Sequence, residues 1–339
     1  MKYFFIFLFA FVVFCDANAQ EQTAKLLQET ARTLVQKGDY DNAIDILKRA
    51  RLQEPDNIEI LKDLSFASYL KRDFGKAIEV GKDMVEKPTA DEQAFQMLGL
   101  SYKAIASYKE CAKVYKTALR KFPNSGMLYY ESAELLAIEN DLEAANAFWE
   151  KGIEVDPQYS GNYYNAGIYY ARKNNWLRSI LYSEIFLNLE SYTKRTEEIK
   201  SQLFTAYNNL LAPGALQQAK EAKTATAFEK DVLDVMSKVA SNTKSNNTIN
   251  ELSGLRIKFL QEWASAKQKT YPFQLFSQQQ YLHAQGLLEA YDYWLFSTNG
   301  TAAAYEAWQK NHAKETEGYK AFQQSRVFKL PAGQYYFSN

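Results

Sequence analysis

Histidine is almost missing from this 339-residue chain: His283 and His312 are the two present, 29 positions apart. Neither stands in a Glu-x-x-His or His-x-x-x-His spacing, so a histidine-ligated metal centre is disfavoured and the usual general base near neutral pH is scarce. Both read as ordinary surface or half-buried residues. Cysteine is equally rare, with Cys15 and Cys111 only, too few for a disulfide framework, so packing must supply the stability. Net charge is zero, from 40 basic and 40 acidic residues, and no overall field draws the chain toward nucleic acid or anionic lipid. Proline (7) and glycine (14) are sparse, which favours helices. A nucleophile elbow, a phosphate-cradling glycine loop and a dinucleotide fingerprint are all absent, and the sequence calls for no cofactor or metal.

One long apolar run is present, and it lies at the start. Met1-Lys2 precedes an apolar stretch from Tyr3 to Cys15, then Asp16-Ala17-Asn18-Ala19 and the polar Gln20-Glu21-Gln22. The run is too short to span a bilayer, and Ala17-Asn18-Ala19 offers the small residues that signal peptidase requires. Residues 1–19 are therefore expected to be a signal peptide cleaved after Ala19, with the mature chain in a bacterial periplasm. Acylation of Cys15 is disfavoured, because Phe14 puts a ring where lipoprotein processing needs a small residue. No later stretch reads as an integral membrane segment. Cleavage would leave Cys111 alone, placed for the core with an unreactive thiol.

What remains is repetitive. The sequence aligns with itself at a period of 34, in units 24–57, 58–91, 92–125, 126–159 and 160–193. Position 8 is Ala31, Ser65, Gly99, Ala133 and Gly167, and position 20 is Ala43, Ala77, Cys111, Ala145 and Ser179. Small residues in register allow two helices to cross closely, and larger ones fill the space around the contact. The larger ones fall at position 4 (Leu27, Leu61, Phe95, Tyr129, Tyr163) and position 17 (Tyr40, Phe74, Tyr108, Leu142, Trp176). Pro55, Pro123 and Pro157 occupy position 32, where proline stops a helix.

This combination resembles the tetratricopeptide repeat family. The resemblance covers 24–193 and implies an all-α solenoid of antiparallel helix pairs, with the first helix of each pair lining a concave side. Unit five departs from the pattern at Phe186 and Ser191. Beyond it, residues 194–240 are expected to cap the solenoid, 241–248 to be a polar linker, 249–330 to form a compact helical module rich in aromatics, and 331–339 to be an extended tail.

In the resembled family, positions 2, 5, 9, 12 and 13 of each first helix face the groove. Carried over, these nominate Lys62, Phe66, Tyr69 and Leu70 in unit two, and Gln96, Leu100 and Lys103 in unit three. Met127, Tyr130, Glu134 and Ile138 follow from unit four, and Tyr164, Ile168 and Arg172 from unit five. The mixture suits a protein partner, docked as an extended peptide or an amphipathic helix. The carboxylate clamp of chaperone-binding members is missing, since Gln28, Arg32, Asp63, Gln93 and Met97 stand at its places. Glu190-Ser191 resembles the catalytic dipeptide of lytic transglycosylases, without the family's other motifs. The expected function is accordingly a non-enzymatic scaffold in the cell envelope. The alternative is a glycan- or peptidoglycan-binding or processing protein that uses the aromatic module.

Overall fold

A computed structural model describes residues 23–240 and 246–337. The expected signal peptide, residues 241–245 of the expected linker and the last two residues of the expected tail lie outside that range. The described residues form eighteen helices and no strand, the all-α class read from the sequence. They divide into two compact units, one ending at Pro123 and the other beginning at Asn124.

The first unit holds three helix pairs: α1 (residues 23–36) with α2 (Tyr40–Gln53), α3 (Ile58–Leu70) with α4 (Phe74–Glu86), and α5 (Glu92–Ala104) with α6 (Tyr108–Lys121). The second begins with α7 (Gly126–Ile138) and α8 (Leu142–Val155), then α9 (Ser160–Arg172) and α10 (Trp176–Leu189). First helices thus start at 58, 92, 126 and 160, and second helices at 40, 74, 108, 142 and 176, each series at the 34-residue period. At positions 8 and 20 the alanines and Cys111 are fully buried, as are Ser65 and Ser179. A methyl group on Gly99 would lie 2.2 Å from Cε1 of Tyr115, so only hydrogen fits there.

The turn within each pair is the same device five times. Position 15 is left-handed in every unit, with φ of +78° at Gly38, +67° at Arg72, +56° at Ala106, +63° at Asn140 and +58° at Asn174. This conformation lets the next residue's N–H reach back to the carbonyl five residues earlier, as in Asp73 to Ser68 at 2.9 Å and Asn175 to Tyr170 at 2.9 Å. The closure ends the first helix by satisfying its last carbonyls. That next residue, Asp39, Asp73, Ser107, Asp141 or Asn175, is the N-cap of the second helix, and four of the five accept a side-chain hydrogen bond from it.

Further along the second unit, α11 (Lys194–Leu210) starts one period after Ser160 but runs 17 residues. The repeat phase therefore persists for one more helix start, and the extra turn moves the following break to Gly214 at φ +80°. Then come α12 (Ala215–Glu221), α13 (Ala227–Val239), α14 (Ile249–Ala266), α15 (Gln274–Ala284), α16 (Leu288–Leu295), α17 (Ala302–Asn311) and α18 (Ala313–Ser325).

One apolar core runs from Ala133 to Phe337 through all of these elements. The division between compact units falls inside the repeat array, at 123/124. Asn247, placed in the linker from sequence, is buried, and both its N–H and its Nδ2 donate to Asn208 Oδ1, at 2.6 and 3.1 Å. The segment after Leu330 is extended but packed: Phe337 is buried, and its carbonyl accepts from Arg178 Nη2 at 3.1 Å.

The centre of this core is α10, eleven of whose fourteen residues are buried. A second-position helix of an exposed array would be amphipathic; α10 is covered on both sides because the C-terminal helices pack over it. Two charged residues in α10 gather their partners from that layer. Glu184 binds Arg256, which also holds Asp292 at 2.7 Å. Arg178 pairs with Glu229 through two hydrogen bonds, at 2.6 and 3.0 Å, and with Glu150 at 3.0 Å.

Candidate partner-binding surface

In the first unit the residues nominated from sequence meet different fates. Phe66 is exposed, and Tyr69 is half-buried with its ring edge-on to Phe74 at 5.5 Å. Gln96, Leu100, Lys103 and Leu70 are half-buried. Lys62 is only 7% exposed and is gripped by Asp91 at 2.5 Å and Glu59 at 2.8 Å. Burial alone would lower its pKa, yet these two carboxylates hold it above the ordinary lysine value. Its charge is balanced within the chain by these two carboxylates.

In the second unit, three first-position helices, α7, α9 and α11, lie in sequence, each touching the next. Tyr130 on α7 packs its ring against Tyr159 with centroids 5.5 Å apart. Gly161 permits this approach, since a methyl group there would come within 2.9 Å of the Tyr130 ring. Tyr164 on α9 packs on Phe186 at 5.3 Å, and the guanidinium of Arg195 on α11 lies 4.7 Å over the Tyr164 ring, a cation–π distance. Tyr164 also donates to Glu198 at 2.8 Å, and Asn165 donates to Glu134 at 2.6 Å. Burial, reinforced by neighbouring carboxylates, raises the phenol pKa values of all three tyrosines, to about 12 for Tyr159 and Tyr164. All three remain neutral donors and flat apolar faces at physiological pH.

Arg195 is fixed from its other side by Glu190, at 2.5 and 3.0 Å. Glu190 also accepts from Ser160 at 2.8 Å and Thr193 at 2.6 Å. Burial opposes ionisation of this carboxyl, but these donors outweigh it and hold the pKa below the ordinary value. A transglycosylase-type general acid must carry a proton near neutrality; Glu190 carries a charge and clamps a loop, while Ser191 donates to the Leu187 carbonyl.

Of the nominated residues, the structure thus gathers Tyr130, Glu134 and Tyr164 into one surface. Met127 and Ile168 are half-buried on the same helices, Ile138 is exposed at the end of α7, and Arg172 is exposed two turns beyond Tyr164. Sequence reasoning did not find Tyr159 or Arg195. The signal for Arg195 was available, because it stands at position 2 of a sixth unit begun at Lys194. Elsewhere, the Cys111 thiol donates to the Gly99 carbonyl at 3.3 Å in the core, and His312 stacks flat on Trp308 at 4.4 Å. Among the described residues no helix is long and apolar enough to cross a membrane.

No protein-family model matches the chain, and neither does any curated protein. Solved structures do. A tetratricopeptide repeat protein from Parabacteroides merdae is 16% identical over 87% of this chain and 97% of its own, with a TM-score of 0.42. TTC0263, a thermophilic TPR protein of Thermus thermophilus, is 16% identical over 54% and 98%, at 0.43. Pseudomonas aeruginosa PilF is 11% identical over 64% and 98%, at 0.47. At such scores the chain's own geometry carries the assignment: 34-residue helix pairs with small residues at the crossing and one turn device throughout make this a tetratricopeptide-type repeat fold.

Proposed function

We propose that this protein is a non-enzymatic scaffold that holds an extended peptide or amphipathic helix of a cell-envelope protein on the first helices of its repeats. The observation that carries this reading is the run Tyr130, Tyr164, Arg195 on the adjacent helices α7, α9 and α11. Each ring, and the guanidinium over Tyr164, is fixed by contacts inside the chain. Side chains already ordered lose little entropy when a partner binds, and tyrosine offers a large face with a hydrogen-bonding tip. The carboxylates of Glu134 and Glu198 give the surface polar edges that fix the register of a bound segment.

Peptides selected on the full chain from a random display library test this directly. Their affinities are compared between the wild type and a Tyr130→Ala/Tyr164→Ala variant whose circular dichroism is unchanged. A loss of roughly tenfold or more, about 1.4 kcal/mol, is expected; equal affinity for every selected peptide would sink the surface. The location is tested by fractionating the native cells and reading the N-terminus of the recovered chain. Gln20 in the osmotic-shock fraction is expected, and Met1 in the cytoplasm would refute it.

A further inference from the structure

Away from that surface, the second unit contains a cleft of about 440 Å³ lined by Tyr192, Trp294, Tyr305, Trp308 and Tyr319. This volume lies within the ~300–1,000 Å³ range of small-ligand sites. The inner lining is buried ring surface, Trp294, Trp308 and Tyr319 each being under 10% exposed. Around it stand Thr316, Lys320, Gln323 and Gln324, and no carboxylate.

The rings are held by groups outside the cleft. Trp308 is sandwiched between Tyr293, at 4.6 Å and 16° between planes, and His312, at 4.4 Å and 4°, with its Nε1 donating to Glu289 at 3.0 Å. Trp294 carries the Lys200 ammonium 4.5 Å over its ring. Tyr192 is the unusual member. It is 70% exposed, a large side chain left in water, yet its hydroxyl is tied to Gln323 Oε1 at 2.9 Å, which keeps the ring at the edge of the cleft.

We infer that this cleft binds a pyranose ring of a neutral glycan. A sugar ring has two chemically different aspects: flat C–H faces, which the negative faces of tyrosine and tryptophan attract, and an equator of hydroxyls, which need donors and acceptors within reach. This lining supplies both, the ring faces of Tyr192 and Tyr305, the more exposed aromatics of the cleft, with Trp294 and Trp308 behind them as its buried wall, and the amides of Gln323 and Gln324 with the Lys320 ammonium around it. Lys320 is paired with Glu317 at 2.8 Å, so it offers a hydrogen-bond donor without a strong demand for an anionic ligand. Because its charge is balanced, an acidic sugar gains no advantage. The cleft uses none of Tyr130, Glu134, Tyr164 and Arg195, and a chain with both sites would join a protein partner to a saccharide.

The test uses the full chain labelled with 5-fluorotryptophan, whose five tryptophans give separate fluorine resonances, assigned with single Trp→Phe variants. Maltotriose and the trimer of N-acetylglucosamine are the probes. With at least one of them the resonances of Trp294 and Trp308 are expected to move saturably, with a Kd of about 0.1–5 mM, while those of Trp149, Trp176 and Trp263 stay in place. Tyr192→Ala, an exposed position where folding is not at stake, should weaken that binding by roughly tenfold, and Tyr192→Phe by less. No saturable shift with either sugar up to ~20 mM, shifts spread over all five tryptophans, or full affinity in Tyr192→Ala would each overturn the assignment. So would a cleft that answers only to an aromatic or proline-rich peptide.

Discussion

Arg256 and Glu184 meet through two hydrogen bonds, Nη2 to Oε1 at 2.5 Å and Nη1 to Oε2 at 3.1 Å, where neither side chain is more than a few per cent exposed. Gln279, Tyr291 and Tyr207 add donors to the same carboxylate, at 2.7, 3.0 and 3.4 Å. Removing one partner of such a pair leaves a charge stranded in the core. Arg256→Met is expected to destabilise by about 3–5 kcal/mol, read as a fall in the calorimetric melting temperature. A change below about 1 kcal/mol would show that the pair is dispensable.

The carboxyl of Asp292, fully buried in the same cluster, behaves differently. Desolvation raises its pKa to about 6 from 3.8, although Arg256 and Ser253 pull the other way. Between pH 4 and 6 the folded chain therefore binds a proton that the unfolded chain does not. The contribution of Asp292 to stability thus falls as pH rises through this window, by at most about 3 kcal/mol at 1.36 kcal/mol per unit. Urea titrations at pH 4.5 and 6.5 should show a wild-type loss over that interval which Asp292→Asn lacks. Parallel pH dependence in the two chains would refute it.

The repeated turn gives a stabilising substitution. Arg72 and Ala106 adopt the left-handed conformation, at +67° and +56°, which costs a residue with a Cβ roughly 1–2 kcal/mol. Ala106→Gly should stabilise by about 0.5–1 kcal/mol after the added freedom of the unfolded chain, read as a rise in the urea midpoint. Gly38→Ala should lower it by a similar amount. A midpoint that moves the opposite way in either variant contradicts the turn geometry.

Glycine in helices supplies a matched pair. Gly99→Ala drives a methyl into the Tyr115 ring, with contacts of 2.2 to 2.5 Å, and is expected to destabilise by about 1–3 kcal/mol through overpacking. Gly254, inside α14, has nothing within 4 Å of the position its Cβ would take, so Gly254→Ala should stabilise by roughly 0.5–1 kcal/mol through helix propensity. Equal effects of the two would mean that the crossing at position 8 is looser than described.

The repeat array was legible in the sequence because its constraint is local and steric. Where two helices cross, Gly99 or Ala133 is required whatever the rest of the chain does, and the need recurs every 34 residues. The turn was legible in principle too, as Gly38, Asn140 and Asn174 at position 15 followed by Asp, Ser or Asn; Arg72 and Ala106 hide it. The long-range packing was not. Nothing local to Phe337 says that it will lie beside Tyr182 at 4.9 Å, and an apolar α10 carrying Arg178 and Glu184 reads like any second helix until its cover is known. Polar composition made 241–248 look like a boundary, whereas Asn247 uses that polarity to bind Asn208 inside the fold. On the candidate surface, Tyr130 and Tyr164 followed from the repeat phase. Arg195 was lost where the self-alignment fades, and the cleft at Tyr192 depends on residues more than a hundred positions apart.

The helix α10 also sets an order of events during synthesis. When it leaves the ribosome, Glu184 has its arginine still 72 residues away and Arg178 its Glu229 still 51 away. At ~5–20 residues per second the wait for Arg256 is roughly 4–15 s, and throughout it two charges belong to a helix whose other side chains seek burial. The first unit is already complete by then. A nascent chain halted near residue 240 would hold a finished first unit followed by an α10 that cannot close, an intermediate that a chaperone or a protease would recognise by exposed Ile180, Leu181 and Ile185.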